Sequence, residues 1–205
     1  MIMKIQAFNF NTNFGAQSSV KIYDKTAKTQ VVADVKYTSD GPAIERATLY
    51  VKDKPVGYAT YSKINNPNEA PAMTREYVAQ SPVGCMYIHF MENQDKEHYS
   101  QIGTQLHKIV RKRSDEEGYD SKVALCAAHN AHCFHYEMGF RPAVMIEPET
   151  RFEHSLNLYN KNADLVIKKG LQESKQTGKH IDTTSLSAVK MIVPKENMYI
   201  LDKKA

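Results

Sequence analysis

The sequence predicts a mixed α/β protein of the α+β kind, a sheet flanked by helices. Three observations carry this. Alternating strand-like segments separated by turn residues run from Val20 to Tyr61. Downstream, Met86 to Phe140 reads as strand, glycine-containing turn, amphipathic helix, buried strand and short helix. A strand–helix–strand unit of that length places its two strands parallel, with a right-handed crossover. Finally, 205 residues, 41% of them hydrophobic and 24% charged, make an ordinary globular chain long enough to bury a core.

The elements follow in order. Ile5, Phe8 and Phe10 suggest an edge strand in an Asn- and Ser-rich opening stretch. Val31 to Tyr37 alternates with period two and ends in Thr38-Ser39-Asp40-Gly41-Pro42, a strong turn signal. Ile44–Val51 and Val56–Tyr61 are the next two strands, turned by Lys52-Asp53-Lys54-Pro55, and residues 65–72 are a loop. In the strand Met86–Glu92, alternation sets Tyr87, His89 and Met91 on one face and Ile88 and Phe90 on the other. Ile102, Leu106, Ile109 and Val110 have the spacing of one helical face, and Gly118 stops that helix. Val123–Ala128 fits a strand buried on both sides, and Ala131–Met138 a short helix. Beyond it, Pro142–Glu147 suggests a strand and 162–175 a helix with Asn162 as N-cap. Ala188–Val193 and Met198–Leu201 look like two closing strands, an edge along which two copies of the chain could pair as a homodimer.

Composition excludes several classes. A net charge of +4 without long Lys/Arg runs, zinc-finger spacing or an aromatic RNA-binding signature does not point to nucleic acid. No apolar run reaches the length of a membrane span, and the N-terminus lacks a signal-peptide core. Three cysteines cannot close a set of disulfides, which suits a reducing, cytoplasmic setting.

The chemistry concentrates between strand and helix. His98-Tyr99-Ser100-Gln101-Ile102-Gly103-Thr104 presents successive backbone N–H groups at a helix start, a ready place for a phosphate, and Gly103 lets a ligand approach the backbone. A second possibility is zinc. His129, His132 and His135 recur every third residue near Cys126 and Cys133, but ligands spread over a strand end and a short helix match no familiar closed site. No metal is expected.

Aligned on Gly103, the turn resembles the acetyl-CoA-binding turn of the GNAT N-acetyltransferase superfamily. There the pattern is Gln or Arg, two residues, Gly, any residue, then Gly or Ala. Here His98 takes the first place, Gln101 replaces the first glycine, and Leu106 matches the leucine of the following helix. Asn130 after the second strand, the segment Phe134-His135-Tyr136-Glu137-Met138-Gly139-Phe140, and the hairpin Leu49–Ala59 extend the resemblance. It implies one domain over 1–205 with a recognisable core at about 44–142 and a partly splayed sheet. It implies acetyl-CoA as co-substrate, held by residues 91–104 (Met91, Glu92 and Asn93 at the strand end) with Asn130 and His135 near its pantetheine arm. In this family an amine attacks the thioester directly, while a strand N–H, here around Met91 to Asn93, binds the carbonyl and a tyrosine protonates the thiolate. His135 aligns with that tyrosine and Tyr136 is its neighbour. Glu92 is a candidate base. The two early helices that shape the family's acceptor site have no counterpart before Ile44, so the amine stays unidentified. A non-catalytic CoA-binding or protein-interaction module of the same fold is the alternative, and a zinc-binding regulatory protein a third.

Overall fold

The period-two segments pair in the order in which they occur. In this computed structural model, which describes residues 18–128, 130–179 and 182–204, β1 (Ser18–Asp24), β2 (Thr29–Ser39), β3 (Glu45–Val51) and β4 (Lys54–Ile64) form an antiparallel meander. The strand expected around Ile5, Phe8 and Phe10 lies outside the described residues. The loop at 65–72 contains one 3-10 turn (Pro67–Glu69), and a second (Ala72–Thr74) leads from it into α1 (Arg75–Ala79). Next come β5 (Cys85–Asn93), β6 (Tyr99–Ser100), α2 (Ile102–Glu116), β7 (Val123–Ala127), α3 (His132–Glu137), β8 (Arg141–Pro142), α4 (Arg151–Thr177) and β9 (Val189–Ile192). The result is a nine-stranded open sheet ordered β6-β1-β2-β3-β4-β5-β7-β9-β8, an α+β arrangement. Among the described strands only β5 and β7 run parallel, as the helix between them requires.

One face of the sheet carries the main core. Ile22, Val35, Leu49, Ala59, Met86 and Ile88 meet the buried face of α2, formed by Ile102, Leu106, Ile109 and Val110. Gly57 makes this approach possible, since a Cβ there would stand 2.5 Å from the Ile102 side chain and 2.7 Å from the Glu92 carbonyl oxygen. Among the described residues the opposite face is covered at one end only, where Tyr77 and Val78 of α1 pack on Cys85, Tyr87 and Ala124. We call it the open face.

An irregularity in β5 decides which residues reach which face. Thr60 pairs with Phe90 but Tyr61 pairs with Ile88, leaving His89 as the extra residue of a β-bulge. Met86 and Ile88 point to the core, and Met91 returns there, whereas Phe90 stays on the open face, 52% exposed with its ring 5.8 Å from that of Tyr58. Simple alternation therefore misassigns the end of the strand: Met91 shares a face with Ile88, because one inserted residue reverses the parity of all that follow.

The C-terminal third differs from expectation in three places. The helix read over 162–175 starts at Arg151, and its N-cap is Thr150, not Asn162. Thr150 accepts from the Glu153 N–H, and the Glu153 carboxylate accepts from the Thr150 N–H, a reciprocal capping box. The asparagines upstream look like helix breakers but bond the neighbouring backbone: Asn157 accepts from Met145 N–H and donates to Met145 C=O, both at 2.8 Å, and Asn160 donates to Ala143 C=O. These bonds hold 143–145 where a longer strand was expected. Met198–Leu201 is turn and 3-10 structure, and β9 is paired on both sides, with β7 and β8, so it offers no free edge to a second copy.

Candidate functional site

A cleft of about 390 Å³ opens where β5 leaves β7. The two strands are in register only at Met86–Val123, Tyr87–Ala124 and Ile88–Leu125. From His89 onward the edge of β5 that faced β7 has no ladder partner among the described strands. Met91 and Asn93, brought to the core side by the bulge, line the cleft with Tyr99, Ser100, Gln101, Ile102, Gly103 and Thr104 of the turn and His135 of α3. Nine of the residues expected at a ligand site thus share one depression.

The turn is built by local bonds. Asn93 Oδ1 accepts from Asp95 N–H and its Nδ2 donates to Tyr99 C=O, closing the loop between them. The β1–β2 hairpin braces it from outside, with Lys25 N–H donating to His98 C=O at 2.8 Å and the Lys25 ammonium to Lys96 C=O at 2.6 Å. Gln101 opens α2 at φ 68°, the left-handed region where glycine is free of strain. Its side chain leaves the cleft to accept from Gln30 Nε2 at 3.2 Å. No side chain caps the first turn, so the N–H groups of Ile102, Gly103 and Thr104 have no acceptor within the helix. Gly103 has a packing duty that sequence reading missed: a Cβ there would lie 2.6 Å from the edge of the Phe134 ring.

Two basic residues, Lys25 and Lys96, also line the cleft, as do Ala131 and Phe134. Neither lysine had a signal in the sequence beyond general turn character, because the hairpin that delivers Lys25 is remote in the chain. With the uncapped helix start they make an electropositive mouth suited to phosphate groups.

Four expected residues stand elsewhere. Glu92 is exposed on the open face, opposite Tyr58 in the ladder. His98 turns outward, its Nδ1 2.5 Å from Asp95 Oδ1; that bond, followed by the one from Lys54, holds the Asp95 carboxyl below its ordinary range. Asn130, at φ 67°, accepts from the Thr183 N–H and hydroxyl. Tyr136 donates to Asp164 of α4 at 3.0 Å and lies under the Arg141 guanidinium, because adjacent residues on α3 point about 100° apart. Burial raises its hydroxyl pKa.

His135 reaches the cleft but is nearly buried, and its Nδ1 lies 3.0 Å from Nε2 of His107 on α2. Burial, and then the proximity of His132, lowers the His135 pKa to about 3. Burial, and then His135, puts His107 well below its ordinary value. Both rings are neutral near pH 7, one nitrogen of the pair donating and the other accepting. Among the described residues no group of three or more His, Cys, Asp or Glu is placed to hold a metal. His132 instead bonds Thr183 and Ser187, and His129 lies outside the described residues. Among the described residues, too, no helix is long and apolar enough to cross a membrane.

No family model, curated protein or solved structure matches this chain.

Proposed function

We propose that the chain is an acetyl-CoA-dependent N-acetyltransferase with the acyl-CoA N-acyltransferase fold, moving an acetyl group to an amine by direct attack. One observation carries this: the cleft between the parting strands, with an unpaired edge of β5 on one wall and an uncapped helix start and two lysines on another. The helix start and lysines suit the pyrophosphate. The free edge of β5 suits the thioester carbonyl, which gains a backbone donor as negative charge develops on its oxygen. Holding both reactants in line supplies roughly 7–11 kcal/mol of the barrier reduction, so the mechanism leans less on any one side chain.

Proton donation to the thiolate is the least provided step. His135 is neutral, and Tyr136 would have to leave Asp164 to reach the cleft. That observation favours a second reading, a module of the same fold that binds CoA without turnover.

Calorimetric titration with acetyl-CoA tests the reading. We expect one ligand per chain, weakened several-fold by Lys96→Ala; no heat at millimolar ligand removes both readings. Binding without acetyl transfer to any of a broad panel of amines selects the second. Gly103 variants are a poor probe, because the Phe134 clash confounds ligand loss with misfolding.

A further inference from the structure

Helix α4 buries Asn157, Asn160, Ala163, Ile167 and Gly170, and its outer side should be polar throughout. It is not. His154, Lys161, Lys168 and Lys175 recur every seven residues, and Leu158, Leu165 and Gln172 fall between them. That spacing sets all seven on one stripe, and no acid falls in it. Leu158 is 62% exposed and Leu165 64%. The segment 143–146 runs alongside, tied to α4 by the amides of Asn157 and Asn160, and adds the exposed side chains of Val144 and Ile146. Six of the ten large hydrophobic side chains exposed among the described residues lie between Val144 and Val166. Scattered singly they would need no explanation; gathered in one region they mark a contact surface.

Between segment and stripe lies a groove of about 520 Å³, with Pro142, Val144 and Leu165 as its apolar lining and Arg141, Lys161 and Lys168 as its cations. Arg141 is held in place, 3.7 Å over the Tyr136 ring, with Nη1 donating to the carbonyls of Tyr136 and Phe140. The acids of α4 are already engaged. Asp164 accepts from Tyr136 and pairs with Lys168 at 2.7 Å, Glu173 pairs with Lys169 at 3.8 Å, and Glu153 closes the capping box. Lys161 and Lys175 have no ion-pair partner among the described residues. One acid of the groove, Glu196, is also without one, and Glu147 and Glu149 follow Ile146 in the lead to the helix.

We propose that this face docks the protein on an anionic phospholipid surface. Headgroups meet Arg141 and Lys161 at the groove, while Leu158, Leu165, Val144 and Ile146 enter the boundary between headgroups and acyl chains. The proposal is independent of the acetyltransferase reading. Charge complementarity selects the occupant. A second copy's α4 would need an apolar seam, but the stripe carries a lysine at every seventh residue from Lys161, so two such helices laid together set lysine against lysine. An anionic lipid surface meets the lysines with opposite charge and the leucines with hydrocarbon, and the two attractions add. Among the described residues no helix is long and apolar enough to cross a membrane, so α4 lies along the surface.

The test is co-sedimentation of the full chain with vesicles of phosphatidylcholine alone or with about 30% phosphatidylserine, in about 0.1 M salt. The protein is expected to pellet with the anionic vesicles, at least about fivefold more than with the neutral ones, and to be released at about 0.5 M salt. Lys161→Glu with Lys175→Glu should weaken binding about tenfold or more, and Leu158→Ser with Leu165→Ser about fivefold. All four side chains are exposed, so the melting temperature should not move. Glu196→Gln removes the unpaired acid and should strengthen binding about twofold or more, a gain that a purely structural role would not produce. Lys21→Glu with Lys112→Glu makes the same change of net charge elsewhere and should stay within about twofold of the wild type. Equal sedimentation with both vesicles, or with neither, overturns the proposal. So does a loss as large for the Lys21 and Lys112 pair, which would leave net charge as the whole cause. Sedimentation equilibrium showing a dimer that the two leucine substitutions dissolve would give the face to a second copy and overturn it as well.

Discussion

Two hydrogen-bonded pairs that include histidine lie on opposite faces of the sheet. On the core side His107 and His135 share a hydrogen bond, both buried; on the open side His89 meets Ser62 in reach of solvent. In each pair burial is the first cause of a lowered pKa. The consequences diverge because only the outer ring can exchange its proton without disturbing the fold. A buried neutral histidine is chiefly a statement about stability, an exposed neutral one a statement about reactivity.

The largest effect that would break this contrast comes from the backbone. Deleting His89 leaves Ile88 opposite Tyr61 and Phe90 opposite Thr60, so each residue keeps its face, but it removes the bulge and with it the extra twist and bend at the point where β5 parts from β7. We expect acetyl-CoA binding to be abolished by calorimetry, where His89→Ala leaves it intact. Equal binding by the two variants would show that the bulge does not set the cleft.

A middle-sized effect belongs to the inner pair. Unfolded histidines titrate near 6.5 and bind protons that the folded His107 and His135 refuse. The unfolded state is therefore favoured as pH falls below about 6.5, by roughly 1.4 kcal/mol per pH unit for each ring, down to about pH 3 for His135. Above pH 7 the pair adds no slope. Urea midpoints at pH 7.5, 6.5 and 5.5 should be level across the first interval and drop over the second. A flat profile down to pH 5.5 would mean that a ring carries its extra proton inside the core.

The smallest effect tests the turn on the core side. Gln101→Gly relieves left-handed strain, worth about 1 kcal/mol, but loses the bond to Gln30 and frees the unfolded chain. We expect these to cancel to within about 0.5 kcal/mol by chemical denaturation. A loss above 2 kcal/mol would make the tie to Gln30 the stronger force.

Much of the sheet was legible in the sequence, since alternation and turn residues mark β2, β3 and β4 and the spacing of Ile102, Leu106, Ile109 and Val110 marks α2. The bulge was not, because Met86-Tyr87-Ile88-His89-Phe90-Met91 alternates plausibly whether or not a residue is inserted. The start of α4 was hidden for another reason: Asn157 and Asn160 are poor helix formers locally, and their compensating bonds are to backbone that the sequence does not place nearby. At the site, the turn and His135 were found from local order, while Lys25 arrives through a hairpin far upstream; on the open face Ser62 meets His89 only once register is known. Contacts between distant segments have no local trace.

The amides of Asn157 and Asn160 have one more consequence. They occupy the backbone groups of 143–145 at the β8 end of the sheet, bonding them as a tenth strand would. A passing polypeptide seeking to extend the sheet there meets three backbone groups already bonded and must displace those bonds first, which hinders recruitment of that margin into aggregates.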